Sequence, residues 1–273
     1  MLRLATSDGW WLVTHTDHAH LAGEFAAAWG TDFFAAPEPR AHVLRGIYRH
    51  DDGWRARDNA PVVTREGKPA AFSSELVGKY AAFEEIDLED YLAVRHNAVL
   101  AMAEEDAYAA ILISMHTHNL LSARADHSTI RPEQLQLLDD FLDAQQKLQR
   151  QLLRQLLDTD AIPRDRLEDE AITENFRLLQ ATDYLSLLSC VDFDRPATLL
   201  HPLRTQQGGA QPIEVERTGE RSFRLSPYPY REPKMHFSLH ARFVPGVRFT
   251  SSAELAGLLA DAPMQTLEVV ISK

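Results

Sequence analysis

The chain has 273 residues, 45 % hydrophobic and 25 % charged, which is ordinary for a globular protein and excludes a disordered or low-complexity class. Its formal charge is -12, from 40 acidic and 28 basic side chains, with no basic patch of the kind that drives phosphate-backbone contacts, so no nucleic-acid partner is expected. One cysteine, Cys190, excludes an internal disulfide framework and a four-cysteine zinc site; with no signal-like leader and no apolar window of about 18 residues, a cytoplasmic chain without a membrane segment is expected.

Residues 1–15 read as a short β element, with a turn at Asp8-Gly9 and a strand-like Trp10-Trp11-Leu12-Val13-Thr14. Helical patterning starts at Asp17, a good N-cap. Six helical stretches follow, at 17–29, 40–52, 87–103, 105–121, 131–158 and 165–191. Residues 53–75 lack a helical period and read as a long loop, a place where function often sits. Beyond about residue 200 the pattern turns to strands. A hairpin is expected across Thr218-Gly219, a strand at 236–240, a short helix at 252–259 and a last strand at 266–270. These strands predict a small sheet that pairs with residues 1–15. The expected architecture is therefore mainly α: a helical bundle at 16–195, an N-terminal β element at 1–15 and a small β-rich extension at 196–273.

Helical periodicity then picks out polar residues on apolar faces. In the first helix His18 shares a face with Ala22, Phe25 and Trp29, whereas His20 shares one with Glu24. In the second, Val43, Ile47, His50 and Asp51 take neighbouring inward positions, and Gly53 follows as a stop. In the fourth, Tyr108, Leu112 and His116 align, while His118 points away. In the last, Asp183 sits within the stripe Ile172, Phe176, Leu179, Leu187 and Cys190. A lone carboxylate there costs several kcal/mol unless it is paired, hydrogen-bonded or metal-bound. Each residue alone also has an ordinary reading as a satisfied core or helix-end group. Together they suit a divalent ion, because imidazole nitrogen and carboxylate oxygen are its usual donors.

The order His…His-Asp…Asp on successive helices resembles the HD superfamily of metal-dependent hydrolases. The matching pieces are Asp17-His18-Ala19-His20-Leu21-Ala22, then Tyr48-Arg49-His50-Asp51-Asp52-Gly53-Trp54, then Ala181-Thr182-Asp183-Tyr184-Leu185-Ser186. The second is similar to a His-Asp-x-Gly-Lys form with tryptophan in place of lysine, and the third to a closing Ala-Asp-x-Leu. The resemblance covers about residues 17–192. The whole chain also resembles a bacterial family of unknown function built on this core. The resemblance implies an all-α core and one or two divalent ions, with Fe, Mn, Zn, Ni and Mg not distinguished. It implies His18, His50, Asp51 and Asp183 as ligands, and His116 matches the additional histidine of the dinuclear branches.

Such a centre would activate water for hydrolysis of a small phosphorylated substrate or nucleotide. Asp51 would bridge two ions, or bind one and orient the water. Asp52 and Asp58 are available for acid-base work, or are solvated loop residues. Arg45, Arg49, Arg55, Arg57 and Lys79 surround the motif; Arg49 and Arg57 are the first choices for a phosphate. Trp54 either stacks on a substrate ring or caps the core. No Walker loop, Gly-x-Gly-x-x-Gly or Gly-x-Ser-x-Gly is present, so P-loop and serine-hydrolase chemistry lack support. The leucine series from Leu135 to Leu156, interrupted by Gln145, reads as a long core helix or a homodimer seam. Two other readings stand beside the hydrolase: an iron-dependent oxygenase on the same scaffold, and a non-catalytic metal-binding sensor.

Overall fold

A computed structural model describes residues 1–72, 87–125 and 127–273. The alternating N-terminal segment forms two antiparallel strands, β1 (Leu2–Ala5) and β2 (Gly9–Val13), with Leu2 opposite Val13. Helix α1 (His15–Ala28) starts two residues before the expected Asp17. Thr14 is its cap: the Thr14 hydroxyl accepts from the Asp17 backbone N–H at 3.0 Å and reaches the Asp17 carboxylate at 2.6 Å. The Thr14 hydroxyl thereby satisfies one helix-end backbone donor, and the Asp17 carboxylate accepts from it to hold it in place.

Helix α2 (Arg40–Tyr48) is shorter than the expected 40–52. His50 and Asp51 lie beyond it, in a bend that leads to a tight turn at Asp52–Trp54 and a one-turn helix α3 (Arg55–Asp58). The loop expected from residue 53 therefore begins as helical turns; its residues 73–75 lie outside the described residues. The turn after α2 passes close to a neighbouring helix: a Cβ on Gly53 would come within 2.8 Å of the Ala98 side chain on α4 (Leu88–Glu105), so this position suits glycine. Gly23 on α1 plays a similar part, because a Cβ there would lie 2.2 Å from the Tyr48 ring at the end of α2.

Helices α5 (Ala107–Asn119), α6 (Leu135–Thr159) and α7 (Asp169–Cys190) complete the helical layer, and a π-type turn at Leu120–Arg124 follows α5. On α6 the polar interruption is built in: Gln145 is fully buried and accepts from the Ser114 hydroxyl at 2.7 Å. The remaining elements are β3 (Ala197–Thr198), β4 (Leu203–Arg204), β5 (Ala210–Gln211), β6 (Glu214–Gly219), β7 (Ser222–Ser226), β8 (Lys234–Pro245), α8 (Ser252–Asp261) and β9 (Met264–Ser272).

The expectation of a mainly α chain with a small sheet is wrong. Seven strands form one mixed sheet in the order β1-β2-β8-β9-β7-β6-β3. The terminal strand β2 does pair with the C-terminal region, through Trp10 opposite Val244. Two features enlarge the sheet. Strands β8 and β9 run well past the segments 236–240 and 266–270, because polar ends such as Arg242 and Gln265 still pair across the ladder. Strand β9 also pairs in parallel with β7, joining the hairpin β6–β7 to the rest. No helix among the described residues is long and apolar enough to cross a membrane.

One core runs through both layers. Helix α1 packs between α2, α7 and β8, and Phe25 meets Phe237 of the sheet edge-to-face at 4.7 Å. Full burial of a side chain of that size contributes on the order of 1.5–3 kcal/mol. The face of α1 that carries Phe25 also carries His18, so the packing that stabilises the helix also sets the direction of this histidine.

Candidate metal centre

Four segments deliver polar side chains to one buried point. They are α1 (His18), the bend after α2 (His50, Asp51), the end of α5 (His116) and the middle of α7 (Asp183). All five residues are at most 6 % exposed. His20, by contrast, is solvent-exposed, and His118 is half-buried with its ring toward Gln146 on α6. The donor atoms form two triads, His18–His50–Asp51 and His50–His116–Asp183, each with its atoms within 4.8 Å of one another. The three imidazoles stand edge-to-face in a row, with centroids 5.3 Å apart for His18–His50 and 5.2 Å for His50–His116.

Hydrogen bonding assigns the ring nitrogens. The Ser186 hydroxyl donates to the Asp183 carbonyl at 2.7 Å, so its oxygen accepts from His18 Nδ1–H at 3.0 Å. His50 Nδ1–H donates to the Ile47 carbonyl at 2.8 Å. In the neutral rings both Nε2 lone pairs then face carboxylates. His18 Nε2 is 3.0 Å from Asp51 Oδ2, and His50 Nε2 is 3.3 Å from Asp183 Oδ1. Lone pair against carboxylate is repulsive in a buried site unless a proton or a cation lies between. His50 Nε2 is buried and has no hydrogen-bond partner.

The electrostatics carry the same message. Burial alone would lower the His50 pKa, but the Asp51 and Asp183 carboxylates outweigh it and push the imidazolium up to about 9. Burial would raise the Asp51 carboxyl; Arg95, His50 and His18 hold it well below the usual carboxylate range. Asp183 is likewise lowered against burial, chiefly by His50. His116 is pushed down to about 3 by burial and stays neutral. Two carboxylates and three buried imidazoles brought together are a donor set suited to a divalent ion, which would compete with the proton on His50.

Of the other residues singled out from sequence, none that is described belongs to either triad. Asp52 pairs with Arg49 at 2.7 Å and with Arg55 at 3.4 Å. Arg49 also pairs with Glu105 at 2.5 Å, and Arg45 pairs with Asp106 at 2.7 Å. Trp54 is buried, with His15 stacked on its ring at 5.0 Å and the Arg95 guanidinium over it at 5.1 Å. Arg57 is half-buried beside the Met1 amino group. Lys79 lies outside the described residues. Asp58 is buried and accepts from the Met1 amine at 2.7 Å and from the His15 backbone N–H at 2.6 Å, with the His15 ring 2.8 Å away.

Arg95 is the residue that sequence reasoning missed. It is buried on α4, donates from Nη1 to Asp51 Oδ1 at 2.5 Å, and donates from Nε to the Tyr91 hydroxyl at 3.1 Å. Its signal is the one that exposed Asp183: Leu88, Tyr91, Arg95, Val99 and Met102 form a single inward stripe with an ionised group in the middle. Ser186, on the stripe of Asp183, could be found in the same way.

Fold and site together define an α-helical layer on a mixed sheet, with a buried cluster of His18, His50, Asp51 and Asp183 that could hold a metal ion. By sequence the chain belongs to the family described as Protein of unknown function (DUF3891), matched over residues 1–246. No curated protein and no solved structure matches it.

Proposed function

We propose that this protein is a metal-dependent phosphohydrolase of the HD kind, acting on a small phosphorylated molecule or nucleotide. The observation that carries the reading is the convergence of two buried imidazole nitrogens, Nε2 of His18 and of His50, on the carboxylates of Asp51 and Asp183. A divalent ion bound there lowers the pKa of a coordinated water toward neutrality and polarises a phosphoryl oxygen. His18, His50, Asp51 and Asp183 are the residues that would hold it, with His116 next to them. Ser186 and the Ile47 carbonyl keep the two imidazoles in the tautomer that offers Nε2, a role such partners commonly play. Arg95 keeps Asp51 ionised and fixed in orientation. The deep burial of the five side chains limits water around the reacting groups and strengthens every charge interaction among them.

The test is Asp183→Asn, which preserves shape and removes the charge. Metal content after purification without added metal, and hydrolysis of p-nitrophenyl phosphate and a nucleotide panel, should both be lost. Unchanged hydrolysis by the variant ends the proposal. The presence of His116 in the cluster favours a second reading, an iron-dependent oxygenase. Iron in freshly purified protein together with oxygen uptake on an organic substrate would select it.

A further inference from the structure

On the footing of the metal-centre reading, we propose that the centre takes a single divalent ion and that Arg95 is what keeps a second one out. The two donor triads share His50. Its Nδ1 is committed to the Ile47 carbonyl, so only Nε2 remains, and one lone pair serves one ion. The triads are therefore two views of one centre. Donors held about 2.0–2.2 Å from one ion lie roughly 3–4 Å from each other. The contacts His18–Asp51 at 3.0 Å, His50–Asp183 at 3.3 Å and His50–Asp51 at 3.9 Å fall in that range.

A carboxylate between two helices can bridge a pair of ions about 3.5–4 Å apart when both its oxygens are free. Those of Asp51 are not. Its Oδ2 faces His18, and its Oδ1 is taken by Arg95 at 2.5 Å. The guanidinium is held in place by the Tyr91 hydroxyl and by the rings of Trp54 and Tyr91. What remains for a second ion, among the described residues, is His116 Nε2 and Asp183 Oδ2, 3.9 Å apart. Two protein donors fall short of the three that catalytic sites usually supply. Charge points the same way. One divalent ion balances the two carboxylates, and Arg95 already adds a positive charge; a second ion would leave a large uncompensated charge in a buried place. Arg95 is thus a positioning residue: it acts through Asp51 and fills, with its own cation, the place a second ion would need.

The experiment is metal counting on the full-length protein. Chelated wild type is loaded with Mn(II), and with Zn(II) in parallel, desalted and analysed for metal per chain. One equivalent is expected, with the six-line Mn(II) resonance spectrum of an isolated ion. Arg95→Met removes the buried cation and frees Asp51 Oδ1 as a further donor, so its content should rise to two; Arg95→Lys should stay at one. Two equivalents in wild type, or the spectrum of a coupled manganese pair, overturns the proposal. Arg95→Met that keeps a native circular dichroism spectrum and stays at one equivalent overturns the part given to Arg95. Should Arg95→Met fail to fold, the wild-type spectrum still decides. No retained metal in wild type overturns the metal-centre reading itself, an outcome distinct from the other two.

Discussion

Helix α5 has a buried carboxylate among bases near each end, and the two clusters are built in opposite ways. At its start, Asp106 caps the helix: Oδ1 accepts from the Ala109 N–H at 3.1 Å, and Oδ2 meets Arg45 at 2.7 Å and His42 at 2.8 Å. Each oxygen has a donor at hydrogen-bond distance. Toward its end, roughly 15 Å away along the helix, His116 lies 3.9 Å from Asp183, and its Nδ1 is buried without a hydrogen-bond partner. Both carboxylates are buried, so burial of the acid does not tell the two places apart. Completeness of hydrogen bonding does. A closed cluster is a structural device, while one whose lone pairs face carboxylates has room for something else.

Four substitutions can break or sharpen that contrast. The largest effect is expected at the open end. Asp183→Asn should reduce bound metal to less than about a tenth of wild type, since removing a charged ligand takes a large share of the affinity. Elemental analysis reads it; metal content that stays near wild type would remove the distinction between the two clusters. Next comes the closed end. Asp106→Ala removes a cap and strands Arg45 and His42, at a cost of about 2–3 kcal/mol once their partial exposure is discounted. Urea unfolding should show that loss while metal content per folded chain stays the same.

A third cluster, around Asp58, sets a pH dependence. Burial and the nearby Met1 amine push the His15 pKa down from 6.5 to about 4. A depressed histidine stays neutral in the folded protein while the unfolded chain takes up a proton. The stability it contributes is therefore complete above pH 6.5 and is lost as pH falls toward 4. His116, pushed down to about 3, adds to the loss with the same sign. Unfolding of chelated protein should show falling stability from pH 6.5 to 4, and His15→Asn should reduce that fall by about 1–2 kcal/mol. A slope identical to wild type would mean that His15 is not held neutral. The smallest effect is expected at His20. His20→Ala should change stability by less than about 0.5 kcal/mol and leave metal content alone, which checks the choice of His18 by helix face.

The inward faces were legible without coordinates. Phe25 and His18, or Leu179 and Asp183, are linked by the helical repeat alone, so burying one turns the other inward. The same repeat exposes Arg95, once α4 is asked for an ionised residue on its apolar stripe. Helix ends were less legible. The stop of α2 at Tyr48 is followed by a turn in which Gly53 passes close to Ala98, a contact between segments about 45 residues apart in sequence. The size of the sheet was not legible either. Gln265 and Arg242 look like loop residues until the ladder of β8 and β9 places them.

By itself the sequence determined which side chains could meet: local periodicity selects His18 over His20 and puts Asp183 among leucines, and that depends only on backbone geometry. The tertiary structure decided what they meet. Two strands from opposite ends of the chain pair, α7 is brought against α1, and Arg95 arrives from α4 to take one oxygen of Asp51. Such contacts are set by packing between distant segments, where the gain from burying a whole face overrides the preference of any short stretch. That is why a buried charged stripe could be read from the residues, while the partner of each charge had to come from the fold.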